Sequence, residues 1–350
     1  MEKLSIKTQI GTTGIALPPI IFGTSALGNL YKALPEGQKR SIIANWFKYI
    51  ESPVVIDTAG KYGAGLALEV IGNGLRSLNI DPGEIIISNK LGWLRTELKT
   101  PEPTFEPGVW VDLKNDAAQN ISYDGIIKCY QQGIELLGGD YKTEILSIHD
   151  PDEYLMAAAS DSDKKKRLDD IMGAYKALVD LRDKGEARAI GIGSKDWKII
   201  QMVTDHVDLD WVMLATEYTI MDHSKDLIDF ISVLEQRDIS VINSAVFHGG
   251  FLTGGEFYNY RKVDHENHED RKLFKWRDKF HRHCSDHNIL PSDACMLFGI
   301  SHPGINSIAL NTSRPEVIKH NIELIQRDIP KDFWIDLKKD GLIENSYNFV

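Results

Sequence analysis

The feature of this sequence that most constrains its fold is a regular alternation of short apolar runs with amphipathic segments. The runs are continuously apolar, which is typical of parallel strands covered by helices on both faces. Eight such runs occur: Pro19–Thr24, Val54–Asp57, Ile85–Asn89, Ile145–His149, Ala189–Gly193, Trp211–Ala215, Ser240–Asn243 and Ser307–Leu310. Eight strand–helix repeats predict an α/β fold of the (β/α)8 TIM-barrel type, in preference to a doubly wound sheet with a second domain.

The segments between the runs have helical periodicity, with apolar residues three or four positions apart. The clearest stripes are Ile42, Trp46 and Ile50; Ile126, Tyr130, Ile134 and Leu137; and Ile171, Tyr175 and Leu178. No linker-like stretch divides the chain, so we expect residues 1–350 to form a single barrel domain. Leu4–Ile6 and Ile15–Leu17 flank a Gly-Thr-Thr-Gly turn at 11–14, which predicts an N-terminal β-hairpin at the barrel bottom.

Composition narrows the class of protein. The chain has 51 acidic and 40 basic side chains, and a net charge of −11 disfavours nucleic acid and anionic membranes as partners. Three cysteines are too few for a disulfide framework, which favours a reducing compartment. The N-terminus lacks the apolar segment of a signal peptide, and no apolar run reaches the ~18 residues of a membrane span. We therefore expect a cytoplasmic protein that acts on a small molecule; the sequence does not indicate its oligomeric state.

Catalytic groups of such barrels lie at the C-terminal ends of the strands, where this sequence places Asp57, Tyr62, Lys90 and His149. A phenol with a pKa of about 10 is a poor acid or base at neutral pH, and a nearby ammonium lowers that pKa. We expect Lys90, held by Asp57, to act on Tyr62 in this way, and His149 to hydrogen-bond a substrate oxygen. This set suits proton transfer between an alcohol and a carbonyl. It supplies no hydride, so a nicotinamide cofactor is required.

Each of these residues also has a structural alternative: Lys90 could reach solvent and Asp57 could cap a helix. A resemblance favours the catalytic interpretation. Residues 57–63 read Asp-Thr-Ala-Gly-Lys-Tyr-Gly and resemble the D-T-A-x-x-Y-G signature of the aldo-keto reductase family. Its later motifs are matched in order at Ile87–Lys90, Ile148–Asp152, Ala189–Gly193 and Arg314–Asn321. The resemblance implies that Asp57, Tyr62, Lys90 and His149 are the catalytic tetrad, with Tyr62 as the general acid/base.

The chain further resembles the aldose 1-dehydrogenase branch, which includes L-fucose (D-threo-aldose) dehydrogenases and is similar to L-galactose dehydrogenase. The matching segments are 27–31, 62–66, 122–125, 149–152 and 218–222. This implies oxidation of the anomeric carbon of a free aldose, of the L-fucose, L-galactose or D-arabinose type, to a lactone. The alternatives are a reductase of small aldehydes or ketones, a pyridoxal dehydrogenase, and a cofactor-sensing channel subunit without turnover.

The strand-end positions and the resemblance together imply a cofactor site. Its expected residues are Gly23, Thr24, Asp57, Ser194, Phe247, Gly249, Asn311, Arg314 and Asn321. A helix that begins near Arg314 offers free backbone N–H groups to a phosphate. Two positions that carry basic side chains in NADP-selective relatives are here Asn311 and Val317, both uncharged. This favours NAD, with NADP as the alternative.

Two long connections, 94–120 and 249–270, follow strands and are expected to cover the catalytic face as lids or irregular loops. We expect them to set the sugar specificity. Trp93, with Tyr62 and His149, is expected to contact the sugar; a core position for this tryptophan is an equal alternative. Family positions for nicotinamide contacts are replaced at Gly193-Ser194, Ala215 and Ser244. His283 and His287 share a helix face, but a polar surface explains them and no metal site is expected.

Overall fold

A closed parallel barrel organises the protein, which the computed structural model describes over residues 8–350. The strands in chain order are β1 (Thr8–Gln9), β2 (Ala16–Leu17), β3 (Ile20–Gly23), β4 (Val54–Ala59), β5 (Ile85–Leu91), β6 (Trp93–Glu97), β7 (Asn115–Gln119), β8 (Ile145–His149), β9 (Ala189–Ser194), β10 (Trp211–Ala215), β11 (Ser240–Ser244), β12 (Phe257–Tyr258), β13 (Arg261–Lys262) and β14 (Ile305–Leu310). Eight of them form the barrel in the order β3-β4-β5-β8-β9-β10-β11-β14, and β14 pairs back to β3. The predicted fold and all eight predicted runs are confirmed.

Helices follow the barrel strands and surround them. They are α1 (Glu36–Tyr49), α2 (Leu66–Ser77), α3 (Tyr123–Leu137), α4 (Pro151–Met156), α5 (Asp161–Asp183), α6 (Trp197–Thr204), α7 (Lys225–Gln236), α8 (Asp270–Asp286), α9 (Pro291–Gly299), α10 (Val317–Leu324) and α11 (Lys331–Lys339). Helix α3 shows how local sequence sets the bounds. The Ser122 hydroxyl accepts a hydrogen bond from the Gly125 N–H at the start, and Gly138 ends the helix with a φ of 88°. Across the described residues, none of the helices has the length and apolarity that a membrane span requires.

Strand β4 shows why the apolar runs do not alternate. Val54 and Ile56 point outward and pack in a cluster that includes Trp46 of α1. Val55 points inward, into a separate cluster within the barrel. Since helices cover one face and the barrel interior buries the other, each successive side chain is removed from water.

The predicted N-terminal hairpin is present in the described part of the chain. Strands β1 and β2 pair antiparallel, and the residues that join and follow them are buried against the inner barrel. Ile10, Ile15 and Leu17 pack in one cluster with Val55 and Ile86. The hairpin therefore fills the barrel from the end opposite to the strand C-termini. The predicted segment Leu4–Ile6 lies outside the described residues.

The expectation of irregular connections is wrong in part. Within 94–120, β6 and β7 form an antiparallel hairpin, and Phe105, Val109 and Trp110 pack with Ala64 in a small apolar cluster. Within 249–270, β12 and β13 form a second short hairpin. The apolar residues of these segments are too far apart to show a strand period, because they pack against a neighbouring loop rather than a sheet. Both connections do cover the C-terminal end of the barrel.

Candidate active site

The four predicted tetrad residues converge at the C-terminal end of the barrel. Asp57 on β4 and Lys90 on β5 are both about 2% exposed, and their side chains form an ion pair. The Ser88 hydroxyl donates a second hydrogen bond to Asp57 at 3.2 Å. Tyr62, in the turn after β4, has its ring centroid 4.9 Å from Lys90 Nζ and 5.6 Å from the ring of His149. Three neighbouring strands thus bring a phenol, an ammonium and an imidazole together.

The electrostatics of Tyr62 differ from the expectation. Burial raises the pKa of the Tyr62 phenol well above 10, and the negative charges of Asp57 and Asp150 raise it further. The nearby ammoniums of Lys61 and Lys195 oppose this rise in pKa. Lys90 forms an ion pair with Asp57, so the negative charge of Asp57 offsets part of the effect that the Lys90 ammonium has on the phenol. In the protein without cofactor, the phenol therefore stays protonated.

His149 is held as a neutral imidazole. It ends β8 and is 5% exposed, and burial lowers its pKa well below 6.5. Its Nε2 lies 3.6 Å from Asp150 Oδ2, and its buried Nδ1 has no hydrogen-bond partner within the part of the chain that the structure describes. A neutral imidazole with spare hydrogen-bonding capacity can orient a substrate hydroxyl or carbonyl oxygen.

Five charged side chains lie beside the tetrad and form what we call the ion cluster: Lys61, Glu106, Asp150, Glu153 and Lys195. Lys61 Nζ lies 2.8 Å from Glu106, 3.0 Å from Asp150 and 2.9 Å from Glu153. Lys195 Nζ lies 2.5 Å from Glu153 and 3.5 Å from Asp150. Burial acts to raise the pKa of the Asp150 carboxyl, but the two ammoniums and the hydrogen bond from Lys61 hold that pKa far below its usual range. The neighbouring carboxylates raise the pKa values of Lys61 and Lys195 in spite of burial, so Asp150 and both ammoniums remain charged at neutral pH.

Two cavities meet at Tyr62. The smaller has a volume of about 40 Å³ and lies between the tetrad and the ion cluster. It is lined by Lys61, Tyr62, Lys90, Glu106, Trp110, His149, Asp150, Gly193, Ser194, Lys195, Met213, Ala215, Ser244 and Tyr260. The larger has a volume of about 740 Å³ and extends from Asp57 and Tyr62 to the start of α10. The smaller cavity suits the reacting end of a substrate, and the larger suits an elongated ligand.

Most of the predicted cofactor residues line the larger cavity: Gly23, Asp57, Phe247, Gly249, Asn311, Arg314 and Asn321. The cavity has a cationic side chain, Arg314, just before the N-terminus of α10, where a phosphate is favoured. Gly249 and Gly250, with φ values of 73° and 95°, bring backbone rather than side chains to its wall. The residues present therefore fit an elongated dinucleotide such as a nicotinamide cofactor.

Three predicted contacts lie elsewhere. Thr24 is fully buried, and its hydroxyl donates to the Asp57 carbonyl at 3.0 Å, so it joins β3 to β4. Ser194 lines the smaller cavity and donates to Asp152 at 2.7 Å. Trp93 lies behind Lys61, whose Nζ is 4.9 Å from the indole centroid, while Trp110 lines the cavity. The indole of Trp110 is fixed by a hydrogen bond of 2.7 Å to Glu106.

A scan of family models matches residues 19–339 to the model described as Aldo/keto reductase family. The chain belongs to the aldo/keto reductase family. The match spans the whole barrel, including all four tetrad positions. The protein is therefore an NAD(P)-dependent oxidoreductase, since members of this family use a nicotinamide cofactor.

Two curated relatives of this aldo/keto reductase are similar over nearly their full length, and a third over about two thirds of its length. Pyridoxal 4-dehydrogenase of Microbacterium luteolum is 26% identical over 356 residues, which cover 97% of this chain and 99% of that protein. D-threo-aldose 1-dehydrogenase of a Pseudomonas species is 25% identical over 348 residues, which cover 97% and 98%. L-galactose dehydrogenase of Arabidopsis thaliana is 24% identical over 257 residues, which cover 72% and 68%.

Solved structures agree in fold with this aldo/keto reductase. An aldo-keto reductase from Bacillus halodurans in its holo form superposes with a TM-score of 0.68 at 18% identity, over 98% of this chain and 97% of that chain. A glycerol dehydrogenase from Gluconobacter oxydans superposes with a TM-score of 0.66 at 15% identity, over 98% of both chains. At these identities the likeness shows the barrel alone.

Sequence reasoning missed most of the groups opposite the tetrad. The sequence could have indicated Lys61, Asp150 and Lys195, since each directly adjoins a predicted site residue. Glu106 and Tyr260 lie inside the long connections, and no local sequence pattern marks them.

The two histidines of α8 that share a helix face, His283 and His287, each pair with an acid of the C-terminal region. The distances are 2.9 Å from His283 to Asp340 and 3.1 Å from His287 to Asp336.

Proposed function

We propose that this enzyme oxidises the anomeric carbon of a free aldose to a lactone, with NAD as the preferred cofactor. The observation that supports this most directly is the Tyr62 phenol, which lines a small cavity with a neutral His149 on one side and the ion cluster on the other. An aldose ring has one hydroxyl that reacts and several that do not. Tyr62 and His149 can hydrogen-bond the reacting hydroxyl, and the ion cluster can hydrogen-bond the others.

In the proposed reaction, His149 and Tyr62 hydrogen-bond the hydroxyl on C1 of the sugar. Tyr62 takes the proton of that hydroxyl as C1 becomes a carbonyl carbon. The ammonium of Lys90, whose Nζ lies 4.9 Å from the centroid of the Tyr62 ring, stabilises the phenolate that must form first, although its pairing with Asp57 weakens this effect. When bound, the nicotinamide accepts the hydride that leaves C1. One C–H bond and one O–H bond break, and the sugar loses two electrons as the lactone carbonyl forms.

Pyridoxal is a second candidate substrate. Pyridoxal carries a hydroxymethyl group beside its aldehyde, so in water it closes to a cyclic hemiacetal, the same functional group as C1 of an aldose. Two observations favour it: the 26% identity to a pyridoxal 4-dehydrogenase, and the Trp110 and Tyr260 rings in the cavity wall, which could stack on a pyridine. Oxidation of either hemiacetal uses the same proton acceptor and the same hydride transfer.

The preference for NAD is supported by the side chains near α10. Asn311 and Val317 line the larger cavity and carry no charge, while Arg314 lines the same cavity just before the helix begins. NADP differs from NAD by a 2′-phosphate, which binds most tightly where several cationic side chains donate hydrogen bonds to it. This wall has few such side chains.

The test is a panel of L-fucose, L-galactose, D-arabinose, D-glucose and pyridoxal, each with NAD and with NADP, followed by the absorbance of the reduced cofactor. We expect at least one aldose to exceed pyridoxal in kcat/KM, with a lactone as product and NAD preferred. Turnover of pyridoxal alone would select the second candidate. Turnover of no hemiacetal, together with rapid reduction of small aldehydes, would overturn the proposal in favour of a reductase.

A further inference from the structure

The ion cluster has more hydrogen-bond acceptors than donors. Its two ammoniums supply six N–H donors, while three carboxylates supply about twelve lone-pair sites. Lys61 donates hydrogen bonds to Asp150 at 3.0 Å and to Glu153 at 2.9 Å, and its Nζ lies 2.8 Å from Glu106. The Glu106 carboxylate takes one further donor, from Trp110 at 2.7 Å. Even after these bonds the cluster retains spare acceptor sites, so it would bind groups that donate hydrogen bonds, such as hydroxyls.

The net charge of the cluster is also unbalanced. Two positive and three negative side chains leave one negative charge. Glu153 is included because it pairs with both Lys61 and Lys195, although it is 33% exposed and lies outside the cavity lining. Lys61 and Asp150 are only 3% and 5% exposed. Because water screens little at such depth, a further anion brought beside this cluster is repelled. A neutral hydroxyl meets no such repulsion.

The cluster faces the reacting groups directly. Lys61, Glu106, Asp150 and Lys195 line the same small cavity as Tyr62 and His149. Asp150 has a left-handed backbone, with φ of 49°, in the residue that directly follows His149. Such a backbone conformation in a residue other than glycine is concentrated at functional sites. A cluster that served only to hold the loops together would not need to line this cavity.

We propose that the ion cluster is the specificity-determining half of the substrate site, selecting neutral polyhydroxy compounds and rejecting those with a carboxylate or phosphate. The proposal rests on the proposed oxidation of a hemiacetal, whose remaining hydroxyls the cluster would bind. In this arrangement the carboxylates of Glu106 and Asp150 accept hydrogen bonds from substrate hydroxyls. The ammonium of Lys195, which makes fewer short contacts than Lys61, donates to a substrate oxygen.

The test compares two sugars that differ in one charged group, L-galactose and L-galacturonate, in the wild type and in two variants of opposite charge effect. Glu106→Gln makes the cluster neutral, and its amide oxygen can still accept from Trp110. Lys195→Gln removes one positive charge, so the net charge of the cluster becomes −2. We expect the kcat/KM ratio of neutral to anionic sugar to fall on the order of tenfold in E106Q and to rise in K195Q. Glu97→Gln, an exposed charge on β6, is the matched control and should leave the ratio unchanged.

If a substitution only damaged the fold, the activities toward the neutral and the anionic sugar would fall together. The ratio of the two would then not fall in one variant and rise in the other. A wild-type ratio within twofold of one, or a shift of the same sign in both variants, would overturn the proposal. If no sugar is oxidised, the proposed function fails, and the selectivity is then measured in the reductive direction with glyceraldehyde and glyceraldehyde 3-phosphate. The same opposite shifts are expected there, and their absence would overturn the inference independently.

Discussion

The two walls of the reaction cavity are built in different ways. The tetrad wall stands on neighbouring barrel strands, where Asp57 and Lys90 are about 2% exposed and neutralise each other. The opposite wall joins Lys61 and Lys195 at strand ends to Glu106, which comes from the long connection between β6 and β7. The comparison shows that neighbouring strands and the turn after β4 hold the tetrad in place, while the opposite wall also needs a side chain from a long connection.

The two walls are linked through Asp150. This residue follows His149 in the chain and pairs with Lys61, and its negative charge raises the pKa of Tyr62. A change in the ion cluster should therefore alter the pH at which the tetrad works, as well as the substrate it accepts. The predictions below test how separate the two walls are.

The largest effect is expected at the tetrad wall. Tyr62→Phe removes the proton acceptor and should lower sugar-dependent cofactor reduction by about 10²–10⁴-fold. Tyr141→Phe removes a phenol that donates a hydrogen bond of 2.9 Å to the Ile80 carbonyl, remote from the cavity, and is the matched control. Retention of full activity by Y62F would show that Tyr62 is not the acid/base.

The next largest effect concerns stability. Lys90→Met leaves Asp57 buried without its ion-pair partner, which should lower the free energy of unfolding by about 3–5 kcal/mol. Burial already raises the pKa of Asp57, and loss of Lys90 raises it further. A raised folded-state pKa means that stability is lost as pH rises, so the deficit should grow from acid to neutral pH.

The measurement is denaturant unfolding at several pH values. The double variant Asp57→Asn with Lys90→Met should recover part of the loss, since no charge then remains buried. A K90M deficit that is independent of pH would show that lost packing, rather than the buried carboxyl, is responsible. Any residual activity of K90M should require a higher pH for oxidation than the wild type does.

The pH profile of oxidation is expected to rise with pH. Oxidation requires the phenolate of Tyr62, whose pKa lies well above 10, so the rate should gain up to tenfold per pH unit from neutral pH upward. His149 has a lowered pKa and stays neutral over that range. Asp150→Asn should shift the profile to lower pH, because it removes a negative charge beside Tyr62. An unshifted profile would show that the two walls act independently.

The smallest effect is expected at the far end of the larger cavity. Arg314 is exposed, and an exposed charge pair contributes about 0.2–1 kcal/mol, so Arg314→Gln should weaken NAD binding about two- to fivefold. Fluorescence titration of the enzyme with NAD and NADP measures this. The substrate selectivity should not change. Tighter binding of NADP than of NAD by the wild type would contradict the proposed cofactor preference.

The sequence predicts the structure best where the environment of a residue follows from its neighbours along the chain. Each barrel strand appears as an apolar run because both of its faces are buried, and the tetrad residues are adjacent to those runs. Glu106 is different: it lies in a stretch without periodicity, and its partners Lys61 and Lys195 are 45 and 89 positions away. The single-domain assignment of residues 1–350 and the substrate contact of Trp93 stay predictions.

The amino-acid sequence alone determined the barrel, its eight strands and the side chains at their ends, because burial on both faces of a parallel strand imposes a local pattern. Only the tertiary structure decided that Tyr62 remains protonated and that charges from distant segments face the tetrad. The physical reason is that a pKa or an ion pair depends on the burial and charges within a few ångströms. Those neighbours come from parts of the chain that only folding brings together.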